Sequence, residues 1–168
     1  YWIESLPGLN INTSILFNDL SEFFRLRMIS LFEESGIDSD LVQSVAGRTI
    51  PIERLLLDPN DAKVRVNLLV EMRSSDQLNQ VQEVVIRASR LAGKNNLDKN
   101  IVSANGIVKP ELFEKSSEAK MLEVLNSLEP IVRSTSSDKY ILLAQGLVGG
   151  STALSEFFDG SQSVMVMT

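Results

Sequence analysis

At 168 residues the chain reads as one domain spanning residues 1–168, long enough to bury most of a core without metal or disulfide support. It contains no cysteine and no histidine, which excludes thiol nucleophiles, zinc ligands of the usual kinds and any serine–histidine–aspartate triad. A net charge of -6 argues against a strong independent nucleic-acid binder, although screening beyond about 8 Å at physiological salt leaves local charge to decide.

Apolar residues recur at helical spacing through most of the chain. Leu16, Leu20, Phe23, Phe24, Met28 and Leu31 step by three or four and predict one buried face of a helix stopped by Gly36. Asp38 is placed to cap a short helix on Leu41, Val42 and Val45, which Gly47 ends. Pro51 opens a short apolar piece, Ile52 to Leu57, and Asp58-Pro59 then pairs an acidic cap with proline at a first helical position. The helix that follows is expected to bury Ala62, Val66, Leu69 and Val70.

Ser74 to Gln77 has capping-box spacing and starts another helix, with Leu78, Val81, Val84, Val85, Ala88 and Leu91 as its apolar stripe and Gly93 as its close. Residues 95–110 form the longest irregular connection, a length that is usually functional or disordered. A helix from about Ser117 to Pro130 is built on Met121, Leu122, Leu125 and Leu128. After the polar stretch Ser134 to Ser137, one helix is predicted from Asp138 to Val148 and a last one from near Ser151. The pattern gives an all-α bundle of about six to eight helices, with no strand and no repeat. No stretch approaches the eighteen or more uninterrupted apolar residues of a membrane span.

The best functional candidates are Arg87, Arg90, Lys94 and Lys99, where a helix ends and the long connection begins. Three of them are spaced three and four apart and share a helix side, and Asn95, Asn96 and Asn100 lie beside them. Cations and amides in this arrangement suit single-stranded RNA, whose bases are read by stacking and by edge hydrogen bonds. The plainer reading is that cations favour a helix C-terminus and that Asn-Asn after Gly93 is turn chemistry. Arg25 and Arg27 lie between apolar neighbours and suggest a structural role; Phe157 and Phe158 read as core. The pairs Glu33-Glu34 and Glu111 with Glu114 read as solvated helix faces, so no catalytic residue and no metal ligand is expected in the chain itself.

The final segment, Ala153 to Met167, joins an amphipathic helix ending Phe157-Phe158-Asp159 to the apolar run Val164-Met-Val-Met167. Those four side chains would expose a large apolar area in water, so they are expected to lead into a further packed element, the chain being a piece of something longer. This tail resembles the C-terminal anticodon-binding domain of the glycyl-tRNA synthetase beta subunit, an all-helical module of the DALR type shared in outline with arginyl- and cysteinyl-tRNA synthetases. The segments Phe23 to Ile37, Asp40 to Ala46, Arg87 to Lys94 and Glu111 to Ala119 resemble the same family in the same order, covering roughly residues 15 to 168. The chain departs from the family at Arg90, where asparagine is usual, and at Gly149-Gly150-Ser-Thr152, where proline usually enters the helix. The resemblance implies that the family's following helix is expected beyond this piece.

The resemblance implies that the parent joins glycine to tRNA with ATP and magnesium, using a catalytic alpha subunit or fused alpha domain outside this chain. It implies tRNA for glycine as partner, contact through Arg87, Arg90, Lys94, Lys99, Asn95 and Asn96, no cofactor in this piece, no membrane, and a place in the bacterial cytoplasm or in a chloroplast or mitochondrion. The alternative is a helical protein-interaction module without RNA contact, which suits the acidic balance.

Overall fold

A computed structural model describes residues 12–94 and 103–159, except the side chains of Val84, Arg87, Leu91, Ala92 and Lys94. These residues form seven α-helices and a single 3-10 turn, with no strand among them. The helices are α1 (Thr13–Glu34), α2 (Ser39–Ala46), α3 (Ile52–Leu57), α4 (Pro59–Ser74), α5 (Gln77–Lys94), α6 (Ser116–Arg133) and α7 (Lys139–Asp159). The all-α expectation holds. The chain divides into two compact units, residues 1–71 and 72–168, the division falling in the last turn of α4.

In the first unit, α1 packs against α2 and α3. Asn12 caps α1 by accepting from the backbone N–H groups of Ser14 and Ile15, and Gly36 ends it with a φ of +83°, the left-handed stop expected there. Leu41, Val42, Val45 and Ala46 of α2, Leu55 of α3, Ala62 and Val66 of α4, and Met28 of α1 are each buried. Asp58 caps α4 as its sequence predicts, its Oδ1 accepting from the N–H groups of Asn60 and Asp61.

The face that α1 buries overlaps the one its apolar spacing selects at Met28, with Leu16 and Phe24 half-buried, but is turned away from the rest of it. Ser21, Arg25 and Met28 are buried, whereas Leu20, Phe23 and Leu31 are exposed. The reason is Arg25. Its Nη1 donates to the carbonyls of Ala46 and Gly47, and its Nη2 to that of Ile50 at 2.9 Å. Helix ends leave carbonyls without intrahelical partners, and a cation is favoured there. Arg25 closes the C-terminus of α2 from across the helix pair, turning α1 about its axis so that its phenylalanine-rich side faces away. Arg27 is exposed and pairs with Glu34 at 3.6 Å. Gly47 is required where it sits, because a Cβ there would collide with the carbonyl oxygen of Gln43.

In the second unit, α7 packs along α6 and against α5. Leu154 and Phe158 of α7 centre a cluster with Ala88 of α5, Met121 of α6 and Phe157. The two phenylalanine rings meet edge to face at 5.4 Å between centroids, so the core reading of both holds. Glu118 starts α6 by reaching back to accept from the N–H groups of Glu114 and Lys115, and Lys120 ties α6 to Glu156 of α7 at 2.8 Å.

Three sequence expectations are corrected here. The helices predicted over 138–148 and from 151 are one continuous α7 that runs through Gly149-Gly150. These glycines mark close packing rather than a break: a Cβ at Gly146 would sit 2.6 Å from Leu128 Cδ2, and one at Gly150 would sit 2.7 Å from Val124 Cγ1. Helix α6 likewise continues past Pro130 to Arg133. Val85 and Leu125, expected in the core, are exposed. By length and composition α7 is able to cross a membrane, although charged residues and glycines deny it an unbroken apolar run. The tail from residue 160 onward lies outside the described residues.

Candidate functional site

Helix α5 is amphipathic, and its two sides have different uses. One side carries Val81, which is buried, and Ala88, which joins the Leu154–Phe158 cluster of α7. On the other, Asn79, Gln82, Glu83, Ile86 and Arg90 recur at spacings of three and four and line a shallow open groove of about 420 Å³. At its start, Asp76 adopts a left-handed φ of 61° and its Oδ1 accepts from Asn79 Nδ2 at 2.6 Å. Aspartate tolerates that conformation better than most residues, and the bond orients the amide of a groove-lining side chain.

Among the described residues, the groove's lining combines two amides, a guanidinium, a carboxylate and an apolar side chain within about three turns of one helix. Amides present both a donor and an acceptor edge, and a guanidinium presents a planar fork of donors. These groups suit a flat, polar, unsaturated ring better than a point charge. Among the described residues no group of three or more Asp or Glu side chains gathers to hold a metal ion.

Of the six residues singled out from sequence, Arg90 lines the groove. Positions 87 and 94 share its side of α5 by helical register, and their side chains lie outside the described residues. Asn95, Asn96 and Lys99, with Asn100, also lie outside them. Sequence reasoning missed Asn79, Gln82, Glu83 and Ile86. The available signal was the second stripe of α5, polar at three and four residue steps and ending at Arg90.

No protein-family model matches the chain. No solved structure matches it either. Curated relatives do. The chain is 38% identical over 151 residues to the glycine–tRNA ligase beta subunit of Acaryochloris marina, covering 88% of this chain and 21% of that protein. It is 36% identical to the beta subunit of Gloeothece citriformis over 152 residues and 34% identical to that of a Picosynechococcus species over 151, again covering 88% of the chain and 21% of each relative. The chain thus spans about a fifth of the length of the curated relatives it matches. Over that fifth, this chain is similar in sequence to glycine–tRNA ligase beta subunits.

Proposed function

We propose that the chain is the anticodon-binding part of a glycine–tRNA ligase beta subunit and that it meets tRNA through the outward side of α5. The similarity to those beta subunits along most of the chain carries this reading. The groove adds chemical support, since amides and arginine planes are groups that read unpaired bases. The basic positions Arg87, Arg90, Lys94 and Lys99 would hold the backbone beside it. The parent enzyme attaches glycine to tRNA using ATP and magnesium. That chemistry belongs to a catalytic alpha subunit or fused alpha domain, and the parent works in the bacterial cytoplasm or in an organelle.

A mobility-shift titration at low salt with glycine tRNA and an unrelated tRNA tests the reading. Glycine tRNA should bind more tightly. With at most about four phosphates neutralised, log affinity should fall against log salt with a slope of about -2 to -3. Equal, very weak binding to both tRNAs would overturn it.

A second reading is a protein-docking module with no RNA contact. The exposed apolar side of α1, with Phe17, Leu20, Phe23 and Leu31, favours it. The same titration separates the two, because a docking module gives no preference between tRNAs.

A further inference from the structure

Helix α1 exposes Phe17, Leu20, Phe23 and Leu31, each by between 45% and 68%, with Leu16 and Phe24 half-buried beside them. Phe17, Leu20, Phe24, Arg27 and Leu31 follow one another at alternating steps of three and four, the spacing of a helix that packs along another helix. Phe23 lies beside that seam, three positions after Leu20 and four before Arg27. Arg27 is its charged member, and Glu34 pairs with it at 3.6 Å. These side chains cannot turn inward to escape water. Arg25, bound to the carbonyls of Ala46, Gly47 and Ile50, fixes α1 about its axis. A continuous apolar stripe with aromatic anchors, held facing outward, has the character of a protein–protein contact.

The stretch shared with the curated relatives is 21% of each of them, so about four fifths of such a polypeptide lies elsewhere. Resting on the reading of the chain as part of a beta subunit, we propose that the outward side of α1 docks this domain onto an apolar helical surface of its own longer polypeptide. A surface on the same polypeptide is present at an effective concentration on the order of mM, which a free partner or a second copy does not match. It also avoids the translational entropy cost of joining two separate molecules. What the packing of this unit leaves over, a neighbour in the longer protein takes up. Helix α1 then anchors the domain, and the outward side of α5 is left to RNA.

Hydroxyl-radical footprinting read by mass spectrometry tests this on the full-length parent and on the 168-residue chain. Phe158, 7% exposed, is in both the reference for a covered ring and the sign that the fold is intact. Phe17 and Phe23 should react freely in the 168-residue chain and several-fold more slowly in the parent, approaching the rate of Phe158. Leu20→Asp in the parent places a short charge in the middle of the stripe, where burial without a partner is costly. It should return both rings to their free rate while Phe158 stays covered. Rings as reactive in the parent as in the 168-residue chain overturn the proposal, and so does protection that survives Leu20→Asp. Protection already present in the 168-residue chain also overturns it: the cover is then internal, or a second copy where it grows with concentration. These results leave the tRNA-binding reading standing, because the tRNA titration does not depend on α1. Protection in the parent that needs added glycine tRNA overturns the proposal and moves the RNA contact from α5 to α1.

Discussion

Helices α1 and α5 each turn one side outward, but the two sides differ in chemistry. That of α1 carries Phe17, Leu20, Phe23 and Leu31, with Phe23 68% exposed. That of α5 carries, among the described residues, Asn79, Gln82, Glu83 and Arg90 around Ile86. Water penalises the first at about 25 cal/mol per Å² of apolar surface and solvates the second without penalty. The apolar side of α1 is outward because a stronger local demand, the carbonyls at the end of α2, claims the Arg25 side for the interior. The polar side of α5 is outward because its opposite side feeds the Leu154–Phe158 cluster. One face is left over from packing; the other is polar by composition and available to a polar ligand.

The largest expected effect is on the contact that turns α1. Arg25→Met removes the donor to three carbonyls around the end of α2 and leaves them buried without it. Hydrogen bonds to charged groups contribute about 1.5–3 kcal/mol each but do not add fully, so a loss of about 3 kcal/mol is expected. At this size that lowers the melting temperature by roughly 6–12 °C, measurable by calorimetry. A shift below about 2 °C would mean that Arg25 does not set the orientation of α1.

The second effect separates two adjacent glycines on α7. Gly150→Ala drives a methyl into Val124 and should cost about 1–3 kcal/mol. Gly149→Ala meets nothing within 4 Å and should stabilise by about 0.5–1 kcal/mol through better helix propensity. Equal effects at the two positions would contradict the close approach of α6 and α7 at Gly150. Their melting curves decide it.

Much of the fold was legible in the sequence because local rules agreed with the outcome. Asn12 was not singled out as a cap, but Gly36 and Asp58-Pro59 lie where helix chemistry places ends, whereas Ser74, expected to open α5, closes α4 and α5 starts at Gln77. What was misread came from long-range packing. Gly149-Gly150 looks like a break until Val124 is seen against it, and Pro130 looks like a stop although α6 continues one further turn. The outward face of α1 was taken for core because periodicity reports that a stripe is apolar, not what it meets. Of the candidate site, the basic end was legible as composition and only Arg90 is placed by the structure. Asn79 and Gln82 drew no notice because amides on a helix surface are common, and only the groove groups them with an arginine.

The smallest expected effects on stability concern the two outward faces. Phe23→Gln and Arg90→Ala should each change stability by no more than about 0.5 kcal/mol, since both side chains are exposed. They should differ in binding: Arg90→Ala should weaken the complex with glycine tRNA several-fold, and Phe23→Gln should leave it unchanged. A gel-shift series on the two variants reads this directly.

The most direct test of the central claim is to titrate an anticodon-arm hairpin of glycine tRNA into the isotope-labelled 168-residue chain and follow backbone amide shifts by NMR. The account predicts that the perturbed amides cluster on α5 over residues 79–90, with α1 over 17–31 silent. Perturbations confined to α1, or no saturable shifts anywhere, would contradict it.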